Sequence, residues 1–434
     1  MMGEYERDAA AFSLETRGWC RHMRKYPKQS YWSGTYLRIC VCNLFLFCSF
    51  QMLLPILPVY MIDNGGSESA VGWITGLITI AAVLIRPFSG YALDRFRRRP
   101  VVVLGSIVLA LAAGAYAISA QVGWMLSVSL LLGIGWGIMT AAYSTIVSDL
   151  VPSDRQGAGI GTFMLFGMAG MAVAPFIGGW LIDKYGPSAF FGTACFLALL
   201  SLLLFLPGAG SHSALRASLP EGGQSRSRNK LFERTSLFPA LLILLFTIGY
   251  GGIISFASLL GMKLGIENGG IFFLVSNAAA MLVRPPAGKL FDARGHATVL
   301  LPGLTIGVIA FIVLSLASGQ MMFIIAACLY GLSFGAVQPS ILAWTIQRAA
   351  KDRRGAANST FLVGMDSGIA LGSISFGVIA QASGYEAVFL YSAVLLVALL
   401  AVYGISLARS RSSRMPGVAE NREGEHKGTS IKGD

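Results

Sequence analysis

Charge is what this chain has least of. Only 12% of its 434 residues are Asp, Glu, Lys or Arg, about half the share that clothes an ordinary soluble protein. Histidine is scarce too: His22, His212, His296 and His426 are the only four, and all fall outside the apolar runs. That removes a histidine proton relay and any His-based metal site. Cysteine is limited to six scattered residues, which excludes a disulfide scaffold and supplies no zinc ligand spacing. No Gly-x-x-x-x-Gly-Lys-Ser/Thr loop occurs, so the chain carries no ATPase of its own. The first 36 residues have no apolar core followed by a cleavage site and do not read as a signal peptide. Acids are outnumbered 21 to 33 by Lys and Arg, for a net charge of +12. A basic balance can mark a nucleic-acid partner, but only on a fold soluble enough to present it.

What the chain does have is apolar length. Hydrophobic residues make up 55% of it, and a spanning helix needs roughly 20 of them. Apolar runs broken by polar or turn residues predict twelve spans, at 38–62, 70–93, 100–119, 124–149, 157–182, 188–207, 237–262, 270–291, 298–317, 320–346, 355–383 and 385–408. Pro55, Pro58, Pro87, Pro175, Pro285, Pro286 and Pro339 fall inside them and mark expected kinks. With the N-terminus placed in the cytoplasm, 29 of the 33 Lys and Arg lie on that side. Lys184 and Lys263 lie outside, and Arg86 and Arg284 within spans. The bias predicts both termini cytoplasmic, in a plasma membrane. The expected organisation is a cytoplasmic tail over 1–36, six spans over 37–207, a Ser-, Gly- and Arg-rich linker over 208–236, six spans over 237–408, and a tail over 409–434. Aromatic and basic residues in the first tail fit either a segment lying on the anionic inner leaflet or an ordinary flexible tail.

Shifted by 198 residues, the second half falls on the first. Arg86, Pro87, Gly90 and Asp94 meet Arg284, Pro285, Gly288 and Asp292, and Gly133, Gly137, Gly170 and Gly179 meet Gly331, Gly335, Gly368 and Gly377. An Arg-Pro-x-x-Gly-x-x-x-Asp string recurring in register is hard to obtain by chance. Six spans per half make the repeat parallel, two bundles related by an axis along the membrane normal.

These strings resemble the major facilitator superfamily. Gly90-x-x-x-Asp94-Arg95-x-x-Arg98-Arg99 matches its signature between helices 2 and 3, with Arg97 where a Gly is usual. A degenerate copy, beginning Gly288-x-x-x-Asp292, sits between helices 8 and 9. In helix 5, Gly170-x-x-x-Ala174-Pro175-x-x-Gly178-Gly179 is similar to the antiporter signature of drug-exporting members, with Ala174 where Gly is usual. The Arg of the helix-4 signature is missing from Leu132-Gly133-Ile134-Gly135-Trp136-Gly137. The resemblance implies an all-α membrane fold of two six-helix bundles rocking around a midplane site. It also implies that Asp94 holds the inner gate against the N-terminus of helix 11, with Asp292 in a weaker mirrored role opposite helix 5.

Three buried charges remain. Asp366 is the one carboxylate deep in a span, where an acid costs about 2.5–3.5 kcal/mol to insert; it faces protein or water, as proton carrier, cation partner or structural hydrogen-bonding group. In the superfamily architecture helices 2 and 11 face each other, so Arg86 and Asp366 are expected to approach. Arg86 has the alternative of snorkelling to the cytoplasm. The same architecture implies that Arg284 lies opposite helix 5, where residues 160–175 hold no acid. Either it receives an anionic group of a substrate, or it is retained through the repeat for structural reasons. Asn43, Gln51, Trp136, Thr140, Tyr143, Tyr250, Phe334 and Gln338 are expected to line the cavity between helices 1, 4, 7 and 10, although helix packing explains any one of them as well. The reading is a secondary transporter, not an enzyme, working as a monomer in the bilayer with protons as coupling ion and without cofactor, metal or nucleic acid. It would export a small organic molecule, drug-like or zwitterionic and within reach of a metallophore, with proton-coupled uptake of a metabolite as the alternative.

Overall fold

A computed structural model describes residues 33–95, 98–151, 156–206, 234–350 and 353–412. Most of the expected N-terminal tail, the linker and the C-terminal tail lie outside these residues, as do Arg97, Arg155 and the side chain of Asp94. Everything described is helix or short connection. Eleven helical runs are long and apolar enough to cross a membrane. One of them, within Gln156–Phe205, contains Gly186 at φ 81° and ψ 176° and is two helices. A left-handed or extended backbone at positive φ suits glycine, so this residue turns the chain between them.

Among the described residues this makes twelve crossing helices. They are α1 (Gly34–Asp63), α2 (Glu68–Arg95), α3 (Arg98–Ala115), α4 (Val122–Leu150), α5 (156–185), α6 (187–205), α7 (Leu237–Lys263), α8 (Ile271–Arg294), α9 (Ala297–Ser315), α10 (Gln320–Arg348), α11 (Arg354–Ser383) and α12 (Tyr385–Ser412). Ser33 caps α1, its hydroxyl accepting from the Tyr36 amide at 3.1 Å, and a turn over residues 54–56 interrupts the helix at Pro55. Pro87, Pro175, Pro285, Pro286 and Pro339 lie inside helices, joined by Pro302 in α9, which the reading for kinks omitted.

The bundles are assembled through glycine. A Cβ on Gly133 or Gly137 of α4 would strike the α2 backbone at Ile78 and Ala82. On α10, Gly331 and Gly335 meet α8 in the same way at Ser276 and Ala280. These four contacts are related by the 198-residue shift, so the repeat in sequence is a repeat in packing. Along α11, Gly364, Gly368 and Gly372 abut the carbonyls of Ala240, Leu244 and Ile248 on α7. Lipid offers no hydrophobic drive for helix association, and small residues let backbones approach closely enough for dispersion to supply it. The apolar side chains left outside, Leu84, Phe88, Leu111, Leu282 and Met321 among them, are more than 60% exposed. So much bare apolar surface fits a hydrocarbon surround.

Two helix pairs make most of the junction between the halves, α2 with α11 and α5 with α8, and α7 also touches α1 and α2. Where α2 and α8 begin, the contact is backbone on backbone. Gly72 lies against the Ser373 carbonyl, and Gly270 against the Pro175 carbonyl. These contacts too are equivalent under the shift. Asn268 donates to the Phe176 carbonyl at 2.9 Å, and a hydrogen bond of 3.1 Å joins the hydroxyls of Ser255 on α7 and Thr75 on α2. The end of the molecule remote from Arg95 and Arg294 is therefore tightly closed between the two halves.

Candidate functional site

Arg86 on α2 and Asp366 on α11 form an ion pair across the two halves, Nη1 donating to Oδ2. Asp366 is only 5% exposed and stands twelve residues beyond the start of α11, roughly 18 Å along it. Breaking such a pair on one side leaves an uncompensated buried charge, at a cost of about 3–5 kcal/mol. A proton on Asp366 would discharge the carboxylate without removing any atom of the pair. The contact thus joins the two halves through one carboxylate oxygen.

Arg284, its repeat equivalent on α8, has a different setting. Its Nη2 donates to the Gln338 side-chain oxygen on α10 at 3.3 Å, and its Nε is buried without a partner. Among the described residues no carboxylate pairs with it. One helical turn away lies a recess lined by Tyr250 on α7, Phe273, Ser276, Asn277 and Ala280 on α8, and Tyr330 and Phe334 on α10. Tyr250 packs on Phe334 at 4.9 Å between ring centroids and stacks on Tyr330 at 6.4 Å. The Tyr330 hydroxyl is buried without a hydrogen bond. In the N-terminal half the corresponding aromatic cluster is Trp136 on α4, stacked on Phe50 at 3.9 Å and met edge-on by Phe47 at 4.9 Å.

The expected cavity residues divide. Tyr250 and Phe334 line the recess, and Gln338 holds Arg284 one turn beyond it. Asn43 does not face a cavity: it is 2% exposed and donates to the Phe163 carbonyl at 3.2 Å, tying α1 to α5. Tyr143 is fully buried, its hydroxyl bonded to Ser201 at 2.9 Å between α4 and α6. The Thr140 hydroxyl is returned to its own helix at the Trp136 carbonyl. Gln51 is 8% exposed beneath the surface of α1. A position halfway along a span does not say which way a side chain points; that depends on helix rotation, and bundle interiors also take polar groups that bridge neighbouring helices.

Asn277 and Tyr330 were missed. Asn277 donates to its own Phe273 carbonyl at 2.8 Å and also reaches the Met171 carbonyl of α5 at 3.3 Å. The available signals were an amide in an apolar run and a tyrosine four residues before Phe334.

The signature residues have mixed roles. Arg98 forms an ion pair with Asp149, joining α3 to α4 inside one half. Arg95 donates to the Tyr91 hydroxyl at 2.6 Å. Arg99 and Asp292 are exposed, and a Cβ at Gly90 or Gly288 would meet nothing within 4 Å. In the helix-5 string, Gly170 and Gly178 pack on α1, at Leu44 and Met52, while Pro175 and Gly179 face α8 at the closed end. The string therefore shapes both a bundle interior and the interface between halves.

Comparison with known proteins agrees with this architecture. A sequence model of the Major Facilitator Superfamily matches residues 39–372 and, in a second match, 269–430. The multi-drug resistance efflux pump PmrA of Streptococcus pneumoniae is 25% identical over 386 residues, covering 84% of this chain and 93% of that one. The multidrug resistance protein MdtG of Enterobacter lignolyticus is 26% identical over 383 residues, covering 85% and 91%. Among solved structures, the nucleoside transporter NupG superposes with a TM-score of 0.70 at 16% identity, covering 86% of this chain and 99% of that one. A POT family transporter bound to a thioalcohol-conjugated peptide superposes at 0.72 and 14%, covering 87% and 96%. With twelve helices in two repeated halves joined through α2–α11 and α5–α8, and with a family match over most of its length, this chain is a multi-pass membrane transporter and belongs to the Major Facilitator Superfamily.

Proposed function

We propose that the protein exports a small organic molecule from the cytoplasm in exchange for protons. Alternating access around the recess and the Arg86–Asp366 pair would carry the exchange. The observation behind this reading is that pair, a titratable carboxylate buried between the two halves and opposed by a fixed cation. Export is favoured by the printed names of PmrA and MdtG, both multidrug resistance proteins. The excess of Lys and Arg around Arg95 and Arg294 favours a cytoplasmic location for that end. The closed end then faces outward. Asp94 and Asp292, at the inner ends of α2 and α8, take the gate role that the superfamily signature implies.

In the cycle, protonation of Asp366 frees Arg86 and loosens α2 from α11, and deprotonation re-forms the pair. Proton-coupled uptake on the same fold is the alternative. It predicts the opposite sign of accumulation in cells.

The test is proton flux in proteoliposomes carrying a pH dye, on addition of amphipathic compounds. Asp366→Asn is expected to abolish substrate-driven proton movement while leaving exchange of one compound for another measurable. Proton movement that survives in Asp366→Asn removes this carboxylate from the coupling. Because Asp366→Asn leaves Arg86 unpaired, Arg86→Gln/Asp366→Asn is run beside it to separate lost coupling from lost stability. In cells, deletion is expected to raise accumulation of an exported compound; a fall assigns uptake instead.

A further inference from the structure

We infer that the transported molecule carries an anionic group, and that this group takes opposite Arg284 the place that Asp366 takes opposite Arg86. The inference rests on the transport reading above and names the substrate class it requires.

Register carries the first part of the argument. The α2–α11 and α8–α5 contacts are equivalent under the 198-residue repeat, since Gly72 meets Ser373 as Gly270 meets Pro175. On that register Arg284 corresponds to Arg86, and the position corresponding to Asp366 is Met168 on α5. The repeat has thus kept both arginines and only one acid. Met168 is buried and cannot accept a hydrogen bond of any strength from a guanidinium.

The second part is the state of Arg284 itself. A guanidinium presents five donors, and here the described residues offer this half-buried one a single neutral acceptor at 3.3 Å, leaving its buried Nε unpartnered. A cation kept at membrane depth without a counter-charge is costly, and where it persists it marks a ligand pathway. A carboxylate matches the fork geometry of this donor.

The third part is the recess. Tyr250 and Phe334 offer aromatic faces, and the unpartnered Tyr330 hydroxyl offers a hydrogen bond. Ala280 and Phe334 of that recess stand one turn, about 6 Å, from Arg284 and Gln338 along their helices. In this conformation the rings fill the recess by packing on one another; once they part, an apolar group joined to an acid by a short link spans that separation.

Three probes share one ring and differ in charge: indole-3-acetate, tryptophol and tryptamine. Calorimetric titration of the purified full-length protein is expected to show the acid binding about tenfold to a hundredfold more tightly than the alcohol, as a charge-assisted pair would. The amine is expected to bind no better than the alcohol. Arg284→Gln should erase the preference for the acid, and Arg284→Lys should retain part of it. Met168→Glu supplies an internal counter-ion and should lower affinity for the acid while sparing the alcohol. It gives an independent reading if Arg284→Gln fails to fold.

Equal affinity for the acid and the alcohol in the wild type overturns the inference. So does a preference that survives in Arg284→Gln, and so does failure of the acid to bind at millimolar concentration. Binding is read here without proton flux. A failure of proton-coupled export with an intact preference for the acid would therefore strike the function proposed above and leave this site standing.

Discussion

His296 links α8 to α9 at the basic end and is enclosed by aromatic groups. Its ring stacks on Trp344 of α10 at 4.1 Å, and its Nδ1 shares a 2.6 Å hydrogen bond with the Tyr403 hydroxyl of α12. Burial, and then the positive charge of Arg348, push its pKa below the ordinary imidazole value. The ordinary value is about 6.5. Above it, folded and unfolded chains both hold the ring neutral. As pH falls through it the unfolded chain takes up a proton that the fold resists, so stability is lost on acidification. Thermal unfolding in detergent from pH 8 to pH 5 should therefore show a larger fall for the wild type than for His296→Gln. Equal falls would mean that this corner does not titrate. A lone histidine in a short loop carried no such signal in the sequence, because the three partners come from helices roughly 50 and 100 residues further on.

At the scale of the element, the glycines of α4, α10 and α11 act as contact surfaces. A Cβ at Gly331 would overlap the Ser276 carbonyl, whereas one at Gly288 meets nothing within 4 Å. Gly331→Val is expected to destabilise the protein by at least the 1–3 kcal/mol usual for overpacking, seen as a lowered melting temperature in detergent. Gly288→Val should stay within about 0.5 kcal/mol of the wild type, as surface substitutions do. Similar losses at the two sites would show that helix propensity, not close approach, is being measured. The repeat was legible here: Gly133 and Gly137 falling on Gly331 and Gly335 foretold matched contacts in the two halves. What each glycine touches was not legible, since Gly90 and Gly288 recur in register just as faithfully and touch nothing.

For the whole molecule, transport requires the closed end to open, and Thr75 and Ser255 lie across that closure with their hydroxyls 3.1 Å apart. Thr75→Cys/Ser255→Cys, in a background with the six native cysteines replaced, places two sulfurs within reach of a disulfide. Oxidation is expected to abolish transport and reduction to restore it. Each single cysteine should be insensitive to oxidant. Transport that continues with the cross-link fully formed would show that this end does not need to part.

The sequence by itself determined the class of the molecule. An apolar content too large for a soluble domain, broken into runs of membrane length, leaves helix as the only way to satisfy the backbone in lipid. The lopsided placement of Lys and Arg gives the chain an expected orientation, and the 198-residue repeat implies two halves. Even the meeting of Arg86 with Asp366 was open to expectation, because the superfamily that the sequence resembles sets helices 2 and 11 face to face.

Only the tertiary structure decided which polar side chains face one another. Asn43 and Tyr143 were assigned to the cavity from their depth, but they bridge helices inside a bundle. Asn277 and Tyr330 passed unnoticed and line the recess. Depth follows from counting residues along a helix. Direction follows from how each helix is rotated against its neighbours, and that is set by glycine contacts between residues far apart in the chain.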